Sequence, residues 1–184
     1  LHVYTKITPI STEHNNLRVE YLCNFRHKYS YVYIVLTKYA KEFGYTEREA
    51  ELARIAGYLH DIGNVINRID HAQSGAVMAF RILDNMGAEP EDIATIITAI
   101  GNHDESTAFP VNAVAAALIL ADKTDVRYTR VRSKDQTTFD IHDRVNYSVT
   151  DSKIIVSNDE ITLKLEIDTK ISPIMDFFEI LLFI

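Results

Sequence analysis

The chain has 184 residues, of which 47% are hydrophobic and 24% are charged, and its formal net charge is -7. This composition is typical of a globular protein with a substantial core, and the acidic balance argues against long DNA or RNA, which requires a broad basic surface. The lone Cys23 excludes an intramolecular disulfide and no apolar run is long enough to span a bilayer, so the sequence predicts a soluble protein of the reducing cytoplasm.

The first part of the chain predicts helices that carry inward-facing histidines. Residues 17 to 43 have a helical pattern that includes His27. The segment from Thr46 to Glu49 has the form of a capping box, which predicts a helix that runs to about His60. The apolar stripe of this helix leads to residue 60, so we expect the imidazole to point inward.

The next segments place two more histidines at helix ends. Asp70 and Gln73 have the spacing of a second capping box, which puts His71 in the first turn of a helix. A further helix begins at Pro90, and its stripe of isoleucines reaches His103 when it is extended by one turn. Both patterns direct the imidazoles toward the interior.

Residues 112 to 126 form the most apolar helical pattern of the chain, and Asp122 interrupts it. The position of Asp122 on this helix predicts that the carboxylate is buried. Because a buried carboxylate without a partner costs several kcal/mol, Asp122 should meet a cation or another polar group.

The pattern changes from helical to alternating after residue 134. Alternation in residues 145 to 149 and 161 to 167, with an apolar segment at 154 to 156 between them, predicts a three-stranded antiparallel meander. Ser172 and Pro173 then begin a last helix with an apolar stripe.

Six residues form one candidate set of metal ligands. Taken singly, an inward histidine is more often a hydrogen-bonded core residue than a ligand. Taken together, nitrogen and oxygen donors at the ends of separate helices can converge on a metal inside a helical bundle. The set consists of His27, His60, Asp61, His71, His103 and Asp122.

The order of these residues resembles the HD superfamily of metal-dependent phosphohydrolases. The resemblance covers roughly residues 20 to 130, and it includes His-Asp-Ile-Gly at 60 to 63 and Leu-Ala-Asp-Lys at 120 to 123. It implies that one metal is held by His27, His60, Asp61 and Asp122. It implies that a second metal is held by His71 and His103, with Asp61 as the bridge.

The resemblance implies two divalent transition-metal ions as cofactors, and imidazole with carboxylate suits Fe, Mn, Co, Ni or Zn. Two cations about 3.5 to 4 Å apart can bind a phosphate oxygen, lower the pKa of a bridging water and stabilise the leaving oxygen. The expected catalytic residues are Asp61 and Lys123. Asp104 and Glu105 could carry protons or support the ligands, and the alternative is a solvated pair at a helix end.

A basic segment follows the last ligand. Its residues recur at helical intervals and would form a phosphate-binding edge if the helix continues, because arginine binds phosphate with paired donors. The alternative is a solvated stripe that pairs with acidic neighbours such as Asp125 and Asp135. The residues are Lys123, which is the strongest candidate, Arg127, Arg130 and Lys134.

The sequence therefore predicts a mainly α protein, with an HD-type helical bundle, a C-terminal three-stranded antiparallel β meander and a final helix. We expect residues 1 to 135 to form the metal-binding domain. Residues 136 to 184 should pack on the bundle or on a second subunit, which would give a homodimer. The function predicted is hydrolysis of a nucleotide or another small phosphoester, with no membrane partner.

Three other interpretations stay open. One is a cyclic dinucleotide phosphodiesterase of the HD-GYP type, which is less favoured because Asn64 stands where that branch commonly has lysine. Another is a metal-binding signalling or interaction module without catalysis, in which the apolar C-terminal segment contacts a partner. The last is a protein whose histidines are core residues and bind no metal.

Overall fold

The computed structural model describes residues 44 to 104, 108 to 131, 133, 135 to 157 and 160 to 181. The helix expected over residues 17 to 43 lies outside the described residues. The described chain is mainly helical, as predicted, with a small antiparallel sheet. Within these ranges, no helix combines the length and the apolar character needed to cross a membrane.

The helices in chain order are α1 (Glu47–Leu59), α2 (His71–Asn85), α3 (Pro90–Gly101), α4 (Ala113–Thr124), α5 (Ile141–Ser148) and α6 (Ile174–Leu181). The strands are β1 (Val149–Ser157) and β2 (Glu160–Ile167). Single turns of 3-10 helix cover Ile62–Val65, Tyr128–Arg130 and Gln136–Thr138.

Helix α1 begins at the predicted capping box. The Thr46 side chain accepts a hydrogen bond from the Glu49 amide, and the Glu49 carboxylate accepts one from the Thr46 amide at 2.8 Å. Both hydrogen bonds satisfy backbone amides that would otherwise have no hydrogen-bond acceptor at the start of a helix. The last residue of the helix is Leu59, so His60 follows directly as the C-cap.

The capping box predicted at Asp70 is wrong. Asp70 precedes α2 as expected, but its backbone is left-handed, with φ 56° and ψ 27°, and its side chain makes no capping hydrogen bond. A capping side chain requires an extended backbone at this position. The Gln73 side chain reaches the Gly101 carbonyl instead, at 3.4 Å.

The first four helices enclose one core. Helix α1 packs against α3 and α4, and α2 packs against α3 and the Ile62–Val65 turn. The large side chains at its centre, Ile96, Ile100 and Leu118, are at most 1% exposed. Burying each of them stabilises the bundle by about 1.5 to 3 kcal/mol, which fixes the helix ends that carry the polar residues.

The predicted three-stranded meander is also wrong, because residues 145 to 148, expected in its first strand, lie in helix α5. The Asp140 side chain caps this helix by accepting a hydrogen bond from the Asp143 amide. Val145 and Val149 fit a strand by alternation, but they are also one helical turn apart, and they meet Phe177 and Val126 in a second small core. Two strands remain, and β1 pairs with β2 antiparallel.

Candidate metal centre

Three histidines converge at one end of the helical bundle. His60 follows α1, His71 opens α2 and His103 follows α3. Their exposed fractions are 0%, 2% and 2%. The rings of His60 and His71 lie edge-on to the ring of His103, with centroids 4.9 and 5.1 Å away. Polar rings buried this deeply require partners.

In each imidazole, Nδ1 forms a hydrogen bond with the backbone carbonyl three residues earlier. The distances are 2.8 Å from His60 to Gly57, 3.0 Å from His71 to Arg68 and 2.7 Å from His103 to Ile100. Because a carbonyl only accepts, Nδ1 carries the proton and Nε2 presents its lone pair to the interior. Carbonyl contacts of this kind orient the histidines of metal sites.

The carboxylate of Asp61 lies among the three Nε2 atoms. Its Oδ1 is 3.4 Å from His71 Nε2 and 3.9 Å from His103 Nε2. Its Oδ2 is 3.6 Å from His60 Nε2. The two oxygens of one carboxylate therefore face different histidines.

Asp122 brings a second carboxylate to His60, with Oδ1 at 3.6 Å from His60 Nε2. Its side chain is 16% exposed, so the burial expected from the sequence is nearly complete. Burial raises the pKa of Asp122, but the adjacent imidazole of His60 and the positive charge of Arg130 outweigh it and hold this pKa well below its usual range. Asp122 is therefore ionised at neutral pH, the form that binds metal.

The donor atoms form two groups of the kind that holds a metal ion, one of His60, His103 and Asp122, the other of Asp61, His71 and His103. Within each group the atoms lie within 4.8 Å of one another. Ligands bound at about 2.0 to 2.2 Å from one ion are separated by about 3 to 4 Å, so these donors fit a divalent transition metal. Because Nε2 has one lone pair, His103 can bind only one ion.

The pH dependence of stability should reflect His103. Burial lowers the pKa of His103 to about 4, and the charge of His60 acts in the same direction. The unfolded chain protonates a histidine near pH 6.5, so acid favours the unfolded state first. The metal-free protein should lose stability as the pH falls from about 6.5 toward 4. Urea denaturation across this range measures how steeply the free energy of unfolding changes with pH. This dependence should be weaker in His103→Gln, and an unchanged dependence would contradict the lowered pKa of His103.

The other candidates occupy different positions around the donors. Asp104 Oδ1 lies 3.8 Å from His71 Nε2, and its side chain is 26% exposed, so a carboxylate stands at an open edge of the site. Lys123 is 8% exposed and lies beside Asp122 on α4. Two further candidates, His27 and Glu105, lie outside the described residues.

The basic segment does not continue as one helical face, because α4 ends at Thr124. Arg127 and Arg130 instead contact Asp125, which is fully buried. Arg127 Nε lies 2.5 Å from Asp125 Oδ1, and Arg130 Nη1 donates to the Asp125 carbonyl at 2.6 Å. Arg130 Nη2 also lies 3.9 Å from Asp122 Oδ1. The arginines pair with an acidic neighbour, as in the alternative interpretation, and Lys134 lies outside the described residues.

Replacing Asp125 with asparagine should lower the free energy of unfolding by about 2 kcal/mol. Breaking a buried ion pair costs about 3 to 5 kcal/mol, and the cost is reduced here because the arginine side chains are 26% and 25% exposed. Urea denaturation measures the change. The control Asp84→Asn breaks an ion pair in which the Arg81 side chain is 72% exposed and the Asp84 side chain is 52% exposed. This change should lower the free energy of unfolding by less than about 1 kcal/mol. Equal losses in the two variants would contradict the structural role of Asp125.

Arg68 is a site residue that the sequence analysis missed. Its Nη1 lies 3.4 Å from His71 Nε2, and its carbonyl accepts from His71 Nδ1. The available signal was its position three residues before a histidine at a helix start. Arginine is common in loops, so the signal becomes specific only with the structure.

The comparison with protein families agrees with this geometry. The family model described as HD domain matches residues 30–146. The chain belongs to the HD domain family. HD domains are generally hydrolases that bind divalent metals, and the described His and Asp donors all lie within the matched residues of this HD domain. Residue 27 precedes the match, so the assignment of His27 stays a prediction. No curated protein and no solved structure matches the chain.

Proposed function

We propose that this HD domain protein is a metal-dependent phosphohydrolase that acts on a nucleotide or another small phosphoester. The observation that supports the proposal most directly is the position of Asp61. Its Oδ1 faces His71 and His103 at 3.4 and 3.9 Å, and its Oδ2 faces His60 at 3.6 Å. A carboxylate with this placement is suited to bridge two cations.

The proposed cofactors are two divalent transition-metal ions, chosen from Fe, Mn, Co, Ni and Zn. One would be held by His60, Asp122 and Oδ2 of Asp61, with His27 as a further predicted ligand. The other would be held by His71, His103 and Oδ1 of Asp61. This division gives each imidazole one ion, as its single lone pair requires.

When bound, such a pair of ions supplies Lewis-acid stabilisation of the phosphate and activates water as the nucleophile. The protein fixes the donors, because the three Nδ1 contacts hold the imidazoles in one orientation. Asp104, at the open edge, is proposed to carry a proton to or from the reacting group. Lys123 is proposed to support the charge of the bound phosphate.

A substrate panel tests the proposal. The protein is loaded in turn with each of the five metals and is assayed on an aryl phosphomonoester, an aryl phosphodiester, nucleotides, dinucleotides and cyclic dinucleotides. Metal-dependent hydrolysis of at least one compound is expected, and His60→Ala should abolish it. The matched control is His142→Ala, since His142 is an exposed histidine on α5. Failure of every metal-loaded form to hydrolyse any compound would contradict the proposal.

The C-terminal segment is proposed to form a homodimer contact, as the sequence predicts. Helix α6 has three large apolar side chains that are about half exposed or more: Ile174 at 47%, Met175 at 67% and Phe178 at 51%. Exposed apolar surface of this kind is costly in a monomer and typical of an interface. Light scattering should give the mass of a dimer, and a monomeric mass would contradict this part of the proposal.

A further inference from the structure

The loop that precedes α2 brings one arginine against both nitrogens of one candidate ligand. The Arg68 carbonyl accepts from His71 Nδ1 at 3.0 Å, and Arg68 Nη1 lies 3.4 Å from His71 Nε2. The residue is otherwise exposed, while His71 is 2% exposed. The guanidinium of Arg68 therefore lies at the atom through which His71 would bind metal.

The loop around Arg68 contains a left-handed residue and an internal hydrogen bond. Asp70 has the left-handed backbone, with φ 56°, a conformation that few residues other than glycine, asparagine and aspartate adopt. The Asn67 side chain accepts a hydrogen bond from the Ile69 amide at 3.1 Å. The Arg68 backbone is tied to the start of α2 because its carbonyl accepts from His71 Nδ1.

The contact between Arg68 and His71 cannot coexist with a bound metal. Nε2 has one lone pair, which can accept from the guanidinium or bind an ion, but not both. When the ion binds, the guanidinium must move aside while its carbonyl still holds Nδ1. Asp104 Oδ1 lies 3.8 Å from the same Nε2, so a carboxylate also approaches this edge of the site.

We propose that Arg68 is a substrate-binding residue that holds a phosphate group of the substrate beside the ion at Asp61, His71 and His103. Arginine suits this role because its planar donors bind two phosphate oxygens at once. The inference rests on the proposed phosphohydrolase function and names the group that would recognise the anionic substrate.

The proposal predicts opposite effects of Arg68→Gln on two ligands. Mn²⁺ binding, measured by calorimetry, should become severalfold tighter, because a positive charge 3.4 Å from His71 Nε2 is removed. Binding of inorganic phosphate to the Mn²⁺-loaded protein should become at least about tenfold weaker, because a charge-assisted pair is lost. Arg68→Lys should give an intermediate phosphate affinity. The control Arg81→Gln makes the same charge change at an exposed pair on α2 and should alter neither affinity.

Two results would overturn the inference. Weaker binding of both Mn²⁺ and phosphate in Arg68→Gln would show that Arg68 only supports the position of His71. Unchanged phosphate binding would show that the guanidinium does not contact the substrate. The outcome is separable from that of the proposed function, since Arg68-dependent phosphate binding can be found even if the wild-type protein hydrolyses no compound of the panel.

Discussion

Replacing Asp61 with alanine should remove both metal ions and reduce hydrolysis to background. One carboxylate faces the two groups of histidines, with oxygen to nitrogen distances of 3.4 to 3.9 Å, so both ions would lose a ligand at once. Loss of a residue that only supports a ligand already weakens metal binding by about 10 to 100-fold, and a shared ligand should cost more. Elemental analysis of the purified variant, with the activity assay, measures both effects.

Two variants make this result specific. Asp122→Ala should release one ion and leave the other, because Asp122 contacts His60 but belongs only to the first donor group. Asp84→Ala removes an exposed carboxylate on α2 and should leave the metal content unchanged. An Asp61→Ala protein that retains both ions would refute the bridging role.

Replacing Gly63 with alanine should destabilise the protein by about 3 kcal/mol or more and disturb the metal centre with it. A Cβ at this position would lie 2.0 Å from the His71 carbonyl oxygen and 2.7 Å from the Gly75 amide nitrogen. Both are backbone atoms of α2, so the clash can be relieved only by moving the helix that carries His71. Overpacking of a side chain alone already costs about 1 to 3 kcal/mol. Urea denaturation measures the loss.

Gly101→Ala provides the matched control at another helix end of the same bundle. The added Cβ would meet the Ala76 side chain at 3.6 Å, which is ordinary contact. Alanine also favours a helix over glycine by about 1 kcal/mol, so the stability should be equal or slightly higher. If Gly63→Ala unfolded at the same urea concentration as the wild type, the close approach of the His-Asp-Ile-Gly segment to α2 would be contradicted.

The burial of the described histidines could be predicted from the sequence because their positions depend on local geometry. The capping box at Thr46 sets the start of α1, and the helical period then brings His60 to its inner end. The apolar stripe that begins at Ile93 repeats with the helical period to the end of α3, and His103 follows the last turn. Spacing along a helix determines the direction in which each side chain points, and packing of the apolar core brings these helix ends together.

Other features depend on contacts that a local pattern does not contain. The spacing of Val145 and Val149 fits both a strand and a helix, and the Asp140 cap with the packing on Phe177 selects the helix for Val145, while Val149 begins β1. The end of α4 has no glycine or proline to mark it, and Asp125 leaves the helix to pair with Arg127 and Arg130. The left-handed backbone of Asp70 and the contact of Arg68 with His71 likewise do not follow from the spacing of residues along a helix.

The most direct test of the account is to locate metal in crystals of the protein grown with Mn²⁺, using anomalous diffraction at the manganese edge. The account predicts two peaks separated by the Asp61 carboxylate. One peak should lie against His60 and Asp122, and the other against His71 and His103. Crystals that contain no anomalous peak among these five residues at saturating Mn²⁺ would contradict it.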